Sequence, residues 1–346
     1  MKPALPEPDF RYSALSGLPF EALKWEFLKT AIELSLFDHL TEPVTSADIA
    51  AKLALHPANT EHLLNALVTL DCLSKSDGLF TNTQMAEKFL TTEKPMSIGH
   101  SILYVESWNQ PVMNGRMKEL IKNGPPPPRS LEDEKIWQDG ARAILNQNRC
   151  GHAKRFAERV SALPEFPGFK RILDLGAGPG INGIAIAMEH PSLHCFLFDQ
   201  PAVCTVADEV IAEYGLDDRV STIPGDYMAD PIGENYDLVL ASFTLNFYRD
   251  RLDEIIGKIY RSLNPDGILL VASDGLTHEK TAPARMVVSW LPVSLQGMDV
   301  SFEQGEIADA MLRTGFVSTQ TQTLDDITTD VHGPIDLIIG RKGSAA

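Results

Sequence analysis

The chain has 346 residues, with 47 Asp+Glu against 30 Lys+Arg (a formal net charge of −17) and 44% hydrophobic residues. At about 150 residues per domain this length predicts two domains, and the composition is that of a folded globular protein, not a disordered or fibrous one. The acidic balance excludes nucleic acid as the main partner, because phosphate binding needs clustered Lys and Arg; a cationic small molecule would meet a favourable field instead.

The opening stretch MKPALPEPDF has three prolines, two acids and no apolar core, so no signal peptide is expected. No run nears the roughly 18 apolar residues of a membrane span, so no membrane partner is expected. Cys72, Cys150, Cys195 and Cys204 lie scattered, with neither disulfide density nor metal-ligand spacing. They read as buried hydrophobes in a reducing compartment, which predicts a cytoplasmic protein without a metal site.

Residues 18–122 read as helical. Leu23, with Ala22 beside it, Phe27, Ile32, Leu36 and Leu40 recur at steps of four to five, the spacing of one buried helix face. Thr45-Ser46-Ala47-Asp48 offers cap residues for a helix carrying Ile49, Ala50 and Leu53, and a further helix spans Asn59 to Cys72. Leu73 to Thr83, with Asp77-Gly78 inside, predicts a hairpin, so the order helix, helix, hairpin makes a winged-helix unit. Residues 1–110 hold 8 Lys+Arg and 14 Asp+Glu, a net of −6, and Asn59 to Leu70 offers no Arg or Lys to a phosphate. Dimerisation and packing is therefore the better use of this unit than DNA binding. The division expected is a helical domain over 1–122, a proline-rich linker with connecting helices over 123–165, and a second domain over 166–346. Pro125 to Pro128 cannot continue a helix, and Ile136 to Val160 reads as one or two helices.

From Arg171 the pattern alternates. Strands are predicted at Arg171–Leu175, His194–Asp199, Val220–Pro224, Tyr236–Ser242, Ile268–Ser273, Val317–Thr323 and Ile335–Gly340. Helices are predicted between them at Ile181–Glu189, Ala202–Tyr214, Arg249–Leu263 and Glu303–Thr314, with a turn at Asn264-Pro265-Asp266-Gly267. Such alternation implies an α/β fold: a mostly parallel, doubly wound, Rossmann-like sheet of seven strands with its ligand at the strands' carboxyl ends. The last two strands lack an intervening helix and so can pair antiparallel.

The strongest motif is Asp174-Leu175-Gly176-Ala177-Gly178-Pro179-Gly180, directly after an apolar strand. Glycine lets the backbone turn sharply and approach a ligand closely. An acid ahead of the glycines suits a cationic group. Asp199 ends the next strand, where it can accept both hydroxyls of a ribose, and Gly225-Asp226-Tyr227 ends the third, placing a carboxylate and a ring where an adenine would lie. A dehydrogenase fingerprint would need glycine where Ile181 stands. S-adenosylmethionine is the ligand that uses all three acidic strand ends.

On these residues the chain resembles the small-molecule methyltransferases that include plant and bacterial O-methyltransferases, whose class I Rossmann-like domain follows a winged-helix dimerisation domain. The resemblance rests on "SADIAAKLALHPANTEHLLNALVTLDCL", "ILDLGAGPG", "FDQPAV" and "GDYM" and covers nearly the whole chain, from Gly17 to Gly340. It implies that Asp174, Gly176, Gly178 and Gly180 line the amino-acid end of S-adenosyl-L-methionine, that Asp199 holds the ribose, and that Asp226 with Tyr227 meets the adenine. Gln200, Gly225 and Ser242, at the same strand ends, complete the cofactor set. It also implies a homodimer with interleaved N-terminal helices and a small-molecule methyl acceptor.

The chain departs from that family where chemistry begins. O-methylating members carry Leu-His-Asp-Trp after the fourth strand, with the histidine as base; here the stretch is Leu245-Asn246-Phe247-Tyr248. Asn246 is not a base, and the acid that would orient a histidine falls near Asp299. A phenol, with a pKa near ~10, gains roughly 10² to 10⁴ in rate from proton removal, whereas a thioether sulfur has no proton to lose. S-methylation of a thioether is therefore slightly preferred, for example of 4-methylthio-2-hydroxybutyrate on the route to dimethylsulfoniopropionate, a reaction of some bacterial members of this superfamily. Phe243, Phe247, Tyr248, Tyr104, Trp108 and Trp290 are candidate pocket linings, and Tyr248 is the foremost. Arg142, Asn146, Gln147, Asn148 and Arg149 could meet an acceptor carboxylate, with Asn148 closest to the family's acceptor-contacting register. O-methylation with a different base, His152 or His278, is the alternative, and a non-catalytic S-adenosylmethionine-binding regulator is the second.

Overall fold

The computed structural model describes residues 7, 9–127, 134–324 and 334–344. Most of the opening stretch, the end of the proline-rich loop at 128–133 and the connection 325–333 lie outside them. The chain forms two compact units, Met1–Leu103 and Tyr104–Ala346.

In the first unit, α1 (Ser13–Glu33) follows a short turn at Phe10–Tyr12 and ends where Ser35 takes a left-handed φ of 51°. β1 (Val44–Thr45) leads into α2 (Ser46–Lys52), whose first turn is capped by Thr45 Oγ1 accepting from Asp48 N at 3.1 Å. α3 (Pro57–Thr69) starts on a proline, which has no N–H to leave unpaired. β2 (Leu73–Ser76) and β3 (Leu79–Asn82) form the hairpin, and Asp77 and Gly78 (φ 50° and 82°) give the two left-handed residues that a tight two-residue turn needs. α4 (Gln84–Phe89) follows. The core is Leu36, Phe37, Leu40, Ile49, Leu64, Leu67 and Phe80. The helix face expected to be buried is so only at its far end. Leu36 and Leu40, just beyond the end of α1, are buried, but Ala22 and Leu23 on it are exposed.

α5 (Gly99–Asn109) runs through the division between the units. In the second unit, α6 (Arg116–Asn123) precedes α7 (Glu134–Gln147), a wide turn at Asn148–His152 and α8 (Ala153–Ser161). Gly151, at φ 135°, breaks the helical geometry and makes this segment two helices. α7 and α8, in the stretch expected to link the domains, lie in the second unit.

The alternating region contains β4 (Arg171–Leu175), α9 (Ile181–Met188), β5 (His194–Asp199), α10 (Pro201–Tyr214), β6 (Val220–Pro224) and β7 (Tyr236–Ser242). Then come α11 (Leu252–Ser262), β8 (Leu263–Ser273), α12 (Ala284–Ser294), α13 (Glu306–Thr314), β9 (Ser318–Leu324) and β10 (Ile335–Arg341). The sheet order is β6-β5-β4-β7-β8-β10-β9, parallel except that β10 runs antiparallel to both its neighbours. The strand order reverses between β4 and β7, so a crevice opens at their carboxyl ends.

Alternate strand residues feed two cores. Ile172, Leu238, Leu240, Ile268 and Leu270 pack on one face, and Leu173, Leu175, Val239, Leu269 and Val271 on the other. Three of the differences from expectation fall in this half of the chain and shape the site's surroundings. The helix expected from Arg249 begins at Leu252, because residues 245–251 form tight 3-10 turns. The one expected from Glu303 begins at Glu306, after Gly305 at φ 93°. The turn at 264–267 does not precede β8 but bulges from within it: Tyr236 pairs with Leu263 and Leu238 with Ile268, so four β8 residues answer one of β7. α12 has no counterpart in the sequence reading, since Pro283 before it and Pro292 inside it disguise its periodicity. No helix among the described residues is long and apolar enough to cross a membrane.

Candidate active site

The loop between β4 and α9 is built on left-handed backbone: Gly176, Gly178 and Gly180 have φ of 69°, 56° and 75°. A Cβ at Gly176 would lie 2.5 Å from Thr244 Cγ2, and one at Gly180 2.5 Å from Leu197 Cδ1, so these two glycines let the loop sit tight against β5 and the end of β7. Gly178 differs. Its nearest neighbour would be Ile144 Cδ1 at 3.9 Å, leaving open space on the side a ligand would approach.

Strand alternation turns Asp174 towards α9, where Oδ2 accepts from Gly183 N at 3.1 Å. It is 2% exposed, and burial, helped by the charge of Asp199, pushes its carboxyl up to about 7 against that hydrogen bond. A cationic ligand nearby would favour the charged form. Asp199, at the end of β5, reaches across to the loop: Oδ2 accepts from Gly178 N and Oδ1 from Gln200 N, both at 2.8 Å. Burial also raises its carboxyl above the ordinary range. Gln200 caps α10, and its Oε1 is buried without a hydrogen-bond partner among the described residues.

Gly225 N donates to Asp199 O at 2.9 Å, which fixes the end of β6 against β5. Asp226 is exposed and accepts from Met228 N. The Tyr227 ring meets Phe198 and Tyr248 edge-on, at centroid distances of 6.3 and 5.1 Å. Burial, with the charges of Tyr248, Asp199 and Asp226, raises the Tyr227 phenol well above its usual range. Tyr248, expected in an acceptor pocket, therefore lies with Tyr227, beside the residues assigned to adenine. Ser242 ends β7 half-buried, and its carbonyl accepts from Thr244 Oγ1.

These residues suit a nucleoside with a charged tail. The Asp199 carboxylate can accept from hydroxyls, Gln200 Oε1 is an orphaned acceptor, the space at Gly178 admits a chain, and two phenol rings offer faces to a base.

Asn246 lies inside the fold at 2% exposure. Its Nδ2 donates to Asp274 Oδ1 at 3.0 Å and to Val300 O at 2.7 Å, and Ser273 Oγ lies 3.4 Å from its Oδ1. Asp274, directly after β8 and also 2% exposed, receives a further bond at Oδ2 from Trp290 Nε1 of α12. Burial raises its carboxyl against these donors. The acid facing Asn246 is therefore Asp274 and not Asp299, which pairs instead with Arg249. Sequence reading missed Asp274 because one acid after a strand has no spacing signal; only the adjacency of β7 and β8 brings it to Asn246.

The remaining expected residues separate. Arg142 pairs with Glu209 and Arg149 with Glu213, both on α10, so these arginines fasten α7 and the wide turn rather than stand free for a carboxylate. Asn148 opens the wide turn. In the same turn His152 Nε2 is buried with no partner among the described residues, and burial lowers its pKa below the ordinary value. His278 is exposed, in a left-handed turn with Glu279 and Lys280. Trp137 of α7 packs edge-on against Phe247 at 5.0 Å, closing α7 onto the segment after β7.

Residues 18–92 match the O-methyltransferase dimerisation domain family and residues 138–316 the O-methyltransferase domain family. The phenazine O-methyltransferase PhzM of Lysobacter antibioticus is 33% identical over 259 residues, 70% of this chain and 73% of that protein. The N,N-dimethyltransferase OxyT of Streptomyces rimosus is 27% identical over 320 residues, 88% and 90% of the two chains. The crystal structure of human N-acetylserotonin methyltransferase in complex with S-adenosylmethionine shares the fold with a TM-score of 0.80 at 20% identity, covering 99% of this chain and 100% of that one. The chain belongs to the O-methyltransferase family, the S-adenosylmethionine-dependent methyltransferases that act on small molecules.

Proposed function

We propose that this protein transfers a methyl group to a small-molecule acceptor whose nucleophile needs no base in the protein, a thioether sulfur or a neutral amine nitrogen. The observation that carries this reading is Asn246. The family's base position holds an amide, and its Nδ2 is spent on Asp274 and Val300 O. S-adenosylmethionine, when bound, supplies an activated methyl on a sulfonium. What remains for the chain is to align acceptor and donor. Asp199 and Gln200 hold the ribose, Tyr227, Tyr248 and Asp226 hold the adenine, and the Gly178 backbone leaves room for the amino-acid arm. The amine reading draws support from OxyT, named for N,N-dimethylation. The thioether reading rests on the missing base and on the net charge of −17, which suits a sulfonium product.

A second reading, O-methylation, is favoured by His152, whose buried, partnerless Nε2 and lowered pKa leave a neutral imidazole able to take a proton. Rate–pH profiles with a thioether, an arylamine and a phenol acceptor separate the two. The base-free reading predicts turnover of the thioether or arylamine with a kcat that is flat from about pH 6 to about pH 8 and unchanged in His152→Ala. Turnover of the phenol instead, with a kcat that falls on acidification through the histidine range and is lost in that variant, would establish the second reading.

The protein is further read as a homodimer. Phe10, Leu15, Leu18 and Phe20 are 63–72% exposed on α1 and the turn before it, in a unit that matches a dimerisation domain. Light scattering is expected to give twice the chain mass of 38.0 kDa; the mass of a single chain would refute the dimer.

A further inference from the structure

The loop after β6 carries Asp226 and Tyr227, and internal bonds shape it: Asp226 Oδ1 accepts from Met228 N at 2.8 Å, Asp230 Oδ2 from Asp226 N at 2.9 Å, and Asp226 O from Asp230 N at 2.6 Å. Such a turn is closed on itself, and what ties it to the sheet comes from elsewhere. Lys258, half-buried on α11, directs its ammonium at the loop and donates to Tyr227 O at 2.7 Å, Met228 O at 3.3 Å and Asp230 O at 2.5 Å. An ammonium has three N–H donors and no acceptor, so three carbonyls use its whole capacity. A planar guanidinium cannot converge on three such acceptors from a single point. The carboxylates of Asp226, Asp230 and Glu254 also surround the amine and oppose the burial that lowers its pKa.

We propose that Lys258 is a positioning residue for cofactor binding: by gathering the carbonyls of Tyr227, Met228 and Asp230 it holds Asp226 and the Tyr227 ring at the adenine end of the site. The proposal rests on the cofactor assignment above. Without the ammonium the three carbonyls lose their shared donor, the acids Asp226 and Asp230 repel without a counter-charge, and the Tyr227 ring is no longer fixed between Phe198 and Tyr248. The Lys258 ammonium is spent on three backbone carbonyls, so its loss acts on binding and leaves the transfer step alone.

The test is calorimetric titration of the full-length protein and of Lys258→Met and Lys258→Arg with S-adenosylhomocysteine and with 5′-methylthioadenosine, which lacks the amino-acid arm. Lys258→Met is expected to raise Kd about tenfold for both nucleosides, and Lys258→Arg about threefold, with the acceptor KM and the kcat at saturating cofactor unchanged. An unchanged Kd in a folded variant, a loss confined to S-adenosylhomocysteine, or an equal loss in acceptor KM would overturn the proposal. Should Lys258→Met not fold, Lys258→Arg, which keeps charge and reach, decides on the same criteria. If the unaltered protein bound neither nucleoside, the cofactor assignment itself would fall, and the proposal with it.

Discussion

Asp199→Ala is expected to weaken S-adenosylmethionine binding about a hundredfold, the largest single loss at the cofactor site. Its carboxylate has two tasks. It accepts from Gly178 N and Gln200 N, which draws the glycine loop to β5, and it is the acceptor assigned to the ribose. Hydrogen bonds to a charged group contribute about 1.5–3 kcal/mol each, and losing two at the lower end gives roughly 3 kcal/mol, about a hundredfold in Kd. Asp199→Asn, which keeps one acceptor oxygen and removes the charge, should fall between the two. Calorimetry measures this directly, and a loss of threefold or less in Asp199→Ala would show that the ribose is held elsewhere.

The second large effect is on stability. Asn246→Leu keeps the side chain's approximate volume but removes the donors to Asp274 and Val300 O, leaving a buried carboxylate with Ser273 and Trp290 and a carbonyl deprived of its partner. An unsatisfied buried group costs about 1–3 kcal/mol, more when charged, so roughly 3 kcal/mol is expected, lowering the thermal midpoint by about 6–12 °C. The effect should depend on pH. Burial already holds Asp274 above its ordinary pKa, so the folded state binds a proton more readily than the unfolded one, and stability falls as pH rises through that window. Loss of the Asn246 donor raises the folded pKa further and extends the window upward. The gap between unaltered protein and variant should therefore be wider near pH 8 than near pH 5. A gap of equal size at both would mean that Asp274 is not the group the amide serves.

Most of the central strands were legible because a β-rich run stops at glycine, acid or proline: β4 before Gly176, β5 at Asp199 and β6 at Pro224. β4, β5, β6 and β7 begin and end where the pattern predicts. For the same reason the acids at their carboxyl ends could be placed together in advance: parallel strands bring Asp174, Asp199 and Asp226 to one edge. What could not be read is what long-range packing decides. Asp274 and Asn246 are 28 positions apart and meet only because β8 lies beside β7. Lys258 reads as one more charge on a polar helix face until the loop after β6 folds onto it. The place of Tyr248 after β7 is legible in the sequence, but its edge-on contact with Tyr227, at 5.1 Å between centroids, is not. The arginines of α7 and the turn behind it looked available because their partners, Glu209 and Glu213, lie more than sixty residues away.

The central claim, methyl transfer to an acceptor that needs no base, is tested most directly by offering the purified protein methyl-labelled S-adenosylmethionine with thioethers, amines and phenols in one competing mixture. The account predicts label on a thioether or an amine, with phenols unmethylated. Label on phenols alone would contradict it.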